Sequence, residues 1–210
     1  MISKTVSLGT DVAHLVLFHP ADLAHAAAWD IAWYADDIIY AVASRAGNLI
    51  AWCTRSDGGF IVRFTDGELT AREEKAKGAS WDFPLIVRHK RVYLDNTDTL
   101  PGLEQMTKTE DDPKRWIDLP NGNYSVTVTV INWRTEPANE ANREAELPSY
   151  VVQFKTADAL PSPAKRPPDL AIGHPASDTP APPISATAKK VEFDTMNIFP
   201  AVQSKDIASI

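Results

Sequence analysis

Tyr124 to Ile131 alternates between apolar and polar residues more strictly than any other stretch of the chain, and this commits the chain to a sheet. Tyr124, Val126, Val128 and Val130 share one face, and Ser125, Thr127 and Thr129 share the other. Successive side chains of a strand point to opposite faces, so this pattern fits one buried and one lighter side. Pro120-Asn121-Gly122-Asn123 supplies the turn that leads into it. Further strands are predicted over Asp11–Phe18, Asn48–Thr54, Phe60–Phe64, Phe83–Val87, Arg91–Leu94 and Tyr150–Lys155. Ser56-Asp57-Gly58-Gly59 and Asp66-Gly67 read as tight turns, and His89-Lys90 as the tip of a hairpin.

Helix signals are few. Pro20 suits a first helical turn, and Ala24, Ala26, Ala27 and Ala28 carry a short helix to about Trp29-Asp30. Residues 31–46 fit a helical face (Ile31, Tyr34, Ile38, Val42) and also a buried strand. The second half reads as strand. Arg72 to Gly78 is charged and reads as loop. Seven or eight short strands broken by turn residues predict a mainly β chain. The expected fold is an antiparallel β-sandwich or open barrel with one short N-terminal helix and a proline-rich C-terminal tail.

The tail follows from proline density. Eight of the sixteen prolines fall between Pro161 and Pro183. Proline fixes φ and lacks a donor, so such a stretch favours extended polyproline-like backbone. The expected domains are a β-sandwich-like body over 1–157, a proline-rich linker over 158–187, and a short docking segment or disordered tail over 188–210. Charge divides the same way. Residues 1–160 hold 16 Lys and Arg against 23 Asp and Glu, a balance of -7, and residues 161–210 hold five of each. In the last segment Val191, Phe193 and Thr195 alternate with polar residues ahead of Ile198 and Phe199, which makes Phe193 and Phe199 candidate docking contacts.

A net charge of -7 argues against nucleic acid as partner, because phosphate recognition needs clustered Lys and Arg. An acidic surface steers basic protein partners instead. The single cysteine, Cys53, lies in the apolar run Leu49–Cys53 and reads as an unreactive core residue. It gives no sign of an oxidising compartment. No window approaches the roughly 18 apolar residues of a membrane span, and the N-terminus has no secretory pattern. A cytoplasmic location is expected.

Chemistry-bearing patterns are sparse. His14, His19, His25, His89 and His174 form no His-x-x-x-His pair, and there is no CxxC. His19 and His25 stand six apart and do not share a helix face. No nucleophile elbow, phosphate loop or calcium loop occurs. Cys53 with His89 is the one imaginable thiol pair. No catalytic residue, metal or cofactor is therefore assigned. The six tryptophans are more informative, since large aromatics make cores and also binding hot spots. Trp52 sits among core residues. Trp116 follows Asp111, Asp112 and two basic residues, and Trp133 precedes Arg134 and Glu136 in a polar loop. At least one of Trp33, Trp116 and Trp133 is expected at the surface.

Two segments carry a resemblance. The first is Gly47-Asn48-Leu49-Ile50 with Asp57-Gly58-Gly59-Phe60-Ile61-Val62-Arg63. The second is the entry Trp116-Ile117-Asp118-Leu119-Pro120-Asn121-Gly122-Asn123-Tyr124 into the long strand. Together they resemble bacterial β proteins of the kind encoded as immunity proteins beside type VI and other polymorphic toxins. The likeness spans Asp11 to Lys155 and brings no catalytic residues. It implies a non-catalytic protein-binding module that masks a toxin's active site. With steering from acidic groups and affinity from aromatic anchors, Asp111, Asp112, Trp116, Trp133 and Glu136 are the candidate contacts. Two other readings stay open. One is an adaptor of a secretion or envelope system that docks through its tail, and the other is a hydrolase with a scattered site.

Overall fold

A computed structural model describes residues 2–28, 37–100, 112–135 and 147–172. Among these, nine strands form two sheets. The larger holds β1 (Ser3–Thr10), β4 (Gly58–Thr65), β9 (Tyr150–Thr156), β8 (Gly122–Ile131) and β5 (Lys77–Val87), in the order β1-β4-β9-β8-β5. Its pairings are antiparallel except β4 with β9. The smaller sheet holds β3 (Leu49–Cys53), β2 (His14–Phe18), β6 (Arg91–Asn96) and β7 (Trp116–Asp118), in the order β3-β2-β6-β7. The protein is a β-sandwich, as its alternation predicts.

The face predicted for β8 is the core face. Tyr124, Val126, Val128 and Val130 are buried with Phe60, Val62 and Phe64 of β4, Tyr150, Val152 and Phe154 of β9, and Leu15, Leu17, Ile50, Trp52, Val92 and Leu94 of the facing sheet. Aromatic contacts knit this layer together, with Trp52 edge-on to Tyr150 at 5.6 Å and Phe64 stacked on Phe154 at 6.1 Å. Pro84 fits because β5 is an edge strand, where a missing N–H breaks no ladder bond.

The smaller sheet buries its other face as well. Val16, Phe18, Leu49, Ala51 and Tyr93 are covered by Leu23 and Ala26 of a 3-10 helix, Pro20–Ala28, and by Tyr40 and Ala43 of α1 (Asp37–Arg45). The 3-10 helix stands where a short helix is predicted. The strand reading of the second half of 31–46 is overturned, since Asp37–Arg45 is α-helical. The Ile38-Ile39 and Val42 run raises β propensity, but the outer face of the smaller sheet needs cover, and burial there outweighs local preference. Gly47 then ends the helix at φ +67°, and a Cβ there would come within 2.7 Å of Ile86.

Two further readings are corrected. Arg72–Gly78 is not loop, because Ala71–Lys75 forms a helical turn, α2. Thr70 and Glu73 make a reciprocal capping box at its start, the Thr-x-x-Glu signature that charge density obscured. The Ser56–Gly59 and His89-Lys90 turns do not close hairpins either. β3 and β4 lie in different sheets, as do β5 and β6, so these links are arches between layers.

Beyond β9 the chain stays against the body through Ile172. Cys53 N–H donates to Pro168 C=O, and Leu170 N–H donates to Cys53 C=O, both at 2.9 Å, so this segment adds a parallel bridge along the free edge of β3. Leu170 is buried in the main core, and Tyr150 Oη donates to its carbonyl at 2.9 Å. Arg55 Nε donates to Asp169 at 2.6 Å. Proline suits such an edge, which asks few donors of the segment.

Two stability outcomes follow from this architecture. Leu170→Ala is expected to cost about 2–4 kcal/mol in urea unfolding of the full chain, as for a core leucine. A cost near zero would mean that the segment does not hold the core. On the outer face of the larger sheet, Arg63 grips Glu73 with two 2.6 Å bonds. Burial alone would raise the Glu73 carboxyl, but the Arg63 and Thr70 bonds outweigh it and hold it below its usual 4.5. A depressed carboxylate stabilises the fold above its unfolded pKa, and that stability is lost as pH falls through the folded value. Glu73→Gln is therefore expected to cost about 3 kcal/mol at pH 7, with the difference from wild type shrinking below pH 4.5. A difference independent of pH would refute the ion-pair account.

Candidate functional site

The smaller sheet presents a polar and aromatic surface where its helical cover stops. It is built on Arg91 and Tyr93 of β6 and Trp116 and Asp118 of β7, which pair in register as Tyr93 with Trp116 and Arg91 with Asp118. Trp116 is partly buried. Its ring lies 4.9 Å from Tyr93, and the Arg91 guanidinium sits 4.0 Å over its face. Tyr93 is itself braced edge-on by Phe18 at 6.3 Å. Lys4 of β1 donates to the Trp116 carbonyl, tying this edge to the other sheet.

On one side of Trp116 stands a buried ion pair. Asp95 on β6 is 2% exposed, and Arg115 Nη1 donates to it at 2.6 Å. Burial pushes the Asp95 carboxyl up, and the bonds from Asn96 N–H and Arg115 recover only part of that shift. Asp112 caps the turn Pro113–Arg115, accepting Lys114 N–H at 2.9 Å, and its carboxylate stands 3.3 Å from Arg115 Nε.

On the other side are two imidazoles. His19 precedes the 3-10 helix, and His89 lies in the arch between β5 and β6. Their rings stack at 4.1 Å and 25°, and His19 also lies 5.3 Å from the Trp116 ring. Asp22 joins them, with Oδ1 at 3.2 Å from His89 Nε2 and 3.6 Å from Arg88 Nη1. Burial, then the neighbouring His89, then Arg91, hold the His19 imidazole down at about 4 against the pull of Asp22. An open groove lined by Lys90, Asp118, Leu119, Pro120 and Asn121 adjoins this face, with Asn121 Oδ1 accepting Lys90 N–H at 2.7 Å.

Of the sequence candidates, the structure brings Trp116 and Asp112 together on this face. Trp133 lies elsewhere, on a short turn after β8, 41% exposed with Arg134 over its ring at 5.0 Å. A tryptophan is thus at the surface, as expected. Asp111, Glu136, Phe193, Phe199 and Trp33 lie outside the described residues. Sequence reasoning missed Arg91, Tyr93, His19, Asp22 and His89. The basic run Arg88-His89-Lys90-Arg91 at a predicted turn was the available signal. It also missed Trp81, which is 44% exposed. Trp81 pairs with Val128 on the core side of the larger sheet, so the smaller sheet does not cover β5 there.

Cys53 is not the enclosed residue expected from its apolar run. It is partly exposed at the end of β3, opposite His14 of β2 and not near His89's cluster. Burial alone would raise its thiol, but hydrogen bonds with His14 and the Arg55 backbone outweigh burial and bring the thiol below its usual value.

No protein-family model matches the chain, and no curated protein does. Two solved structures are similar in fold outline. One is described as crocagin biosynthetic gene J, with 18% identity and a TM-score of 0.48 over 72% of this chain and 95% of that one. The other is ComJ from Bacillus subtilis, described as the inhibitor of the DNA-degrading activity of NucA, with 14% identity and a TM-score of 0.45 over 75% of this chain and 99% of that one. Among the described residues, no helix is long and apolar enough to cross a membrane.

The Asp95–Arg115 pair allows a direct check of the electrostatics. Arg115→Met leaves a buried carboxylate without its cation, at a cost of about 3 kcal/mol near neutral pH. Because that carboxyl is already raised, the folded state holds its proton more tightly than the unfolded one, and ionising it lowers stability as pH rises. Denaturant unfolding should therefore show a larger deficit for Arg115→Met at pH 7 than at pH 4. An equal deficit at both would count against the pairing.

Proposed function

We propose that the chain is a non-catalytic protein-binding module of the immunity kind, which neutralises a bacterial toxin by masking its active site. The observation that carries this reading is the Trp116 face. A tryptophan is held between a tyrosine and an arginine on the surface of a rigid sheet. Trp, Tyr and Arg are the residues that dominate binding energy at protein interfaces, and an anchor fixed before binding loses little side-chain entropy on docking. Asp112 and Asp118 edge this face and supply hydrogen-bond acceptors at its rim.

Trp133 is a second anchor in the proposal, exposed and stacked with its own arginine. Asp111 and Glu136 complete the acidic contacts, and Phe193 and Phe199 are contacts contributed by the tail. The partner is a protein and not a nucleic acid, in keeping with the net charge of -7.

Co-expression of the full chain with the toxin encoded beside its gene tests the proposal. A complex that survives purification and suppresses the toxin's activity is expected. Arg91→Glu should weaken that complex by roughly tenfold to a hundredfold while leaving the melting temperature nearly unchanged, because Arg91 covers the anchor and is not part of the core. No complex with that toxin, or undiminished affinity in Arg91→Glu, would defeat the reading.

A further inference from the structure

We propose that His19, Asp22 and His89 form a binding site for a divalent transition-metal ion of the zinc type. One ligand atom from each of the three residues lies within 4.8 Å of the others. Two imidazoles and a carboxylate suit zinc and its neighbours in the first transition row, and three protein ligands leave an open position for water or a partner's side chain.

The local fold brings these ligands together. Asp22 N–H donates to His19 C=O at 3.0 Å, an i to i+3 bond. His19 immediately precedes the 3-10 helix, and this bond closes the turn that holds Asp22 beside it. An α-helical reading of the same residues concealed this. The arch between β5 and β6 then carries His89 over them, with its ring stacked on His19. Asp22 is only 9% exposed, so its carboxylate is enclosed by the groups it faces. Ligand atoms around a zinc-like ion at about 2.0–2.1 Å stand roughly 3.3 Å apart, so the three must close by about an ångström or so. His89 can supply that movement, since it is 38% exposed and sits in a turn. His19 Nδ1 accepts Ala21 N–H at 3.2 Å, which orients the ring. Coordination through the other nitrogen shifts the tautomer and exchanges that one neutral bond for a metal bond.

Arg88 gives the site a distinctive signature. Its guanidinium lies 3.6 Å from the same Asp22 oxygen that faces His89. Its hydrogen bonds go instead to Asn48 Oδ1 at 3.0 Å and the Ala46 carbonyl at 3.3 Å, so it is held beside Asp22 and its charge opposes an incoming cation. A purely structural cluster would lose cohesion without Arg88, whereas a metal site should bind better.

The full-length protein titrated with Zn2+ by calorimetry, and with Co2+ by visible absorption, tests this. Trp116 lies 5.3 Å from His19, so Cu2+ should quench its fluorescence. One ion per chain is expected. His89→Ala, on an exposed turn, and Asp22→Asn should each weaken Zn2+ by at least about tenfold, a loss that removal of outer-shell partners alone can produce. Arg88→Ala should tighten it several-fold. Failure to bind Zn2+ below about 100 µM, or affinity unchanged in His89→Ala, would overturn the proposal. So would Arg88→Ala weakening the ion. None of these readouts depends on the toxin-binding reading, so the two stand or fall separately.

Discussion

Four short links carry the chain between the two sheets, and everything on the surface of the smaller sheet is placed by them. β1 passes to β2, β3 to β4, β5 to β6, and β7 to β8, each time from one layer to the other. Three of these arches turn on a non-glycine residue with left-handed backbone: Ala13 at φ 52°, Arg55 at φ 59° and Lys90 at φ 59°. Such residues cost about 1 kcal/mol or more each. The sandwich offsets that strain because each arch sets one strand of each sheet into the common core. Lys90 is held on both sides, its N–H by Asn121 and its C=O by Leu119 N–H at 2.9 Å. The strained arch and the β7–β8 link therefore brace each other. Between them they fix His89, Arg91 and Trp116 in one neighbourhood.

This arrangement also explains what could be read from the sequence and what could not. Where a strand buries one side and pairs within its sheet, as β8 does, period-two alternation reports it faithfully. Cross-layer links defeat that reading. Asp-Gly and His-Lys turns look the same in sequence whether the flanking strands pair or face each other across a core. A tight turn fixes the reversal of the chain but not the plane in which it reverses. The pairs that do lie side by side, β2 with β3, β6 with β7 and β8 with β9, are joined by longer segments, so proximity in sequence pointed away from the true neighbours. β1 was missed for a related reason. Ser3–Thr10 places Val6, Leu8 and Thr10 inward, but Lys4 shares their parity and the other face is only Ser, Thr and Gly, so weak polarity contrast hides an edge strand.

The candidate face was legible only in part, because its members come from four elements. Trp116 and Asp112 share a local segment and could be paired by eye. Tyr93 and Arg91 join them only through the β6–β7 register, and His19 and His89 only through the 3-10 turn and the arch. The His-x-x-Asp spacing becomes a signal once an i to i+3 bond is known to close it into a turn. Read as an α-helix, the same four residues point about 60° apart around the axis, and the pattern fades.

Charge on this face differs from charge on the whole chain. The protein carries -7 overall, yet Arg88, Lys90, Arg91, Lys114 and Arg115 all lie on or beside the Trp116 surface, among Asp22, Asp95, Asp112 and Asp118. Several of these are committed to one another: Arg115 to Asp95 and Asp112, and Arg88 and His89 to Asp22. An ion-paired face projects little net field, so in the proposed binding role long-range steering would fall to the acidic remainder of the protein and fit to this face. On that proposal, selectivity would come from shape, from aromatic stacking and from those donors that no described residue engages. Among the described residues Arg91 is foremost of these, since its guanidinium lies over the ring of Trp116 and the guanidinium N–H groups make no hydrogen bond to the other described residues.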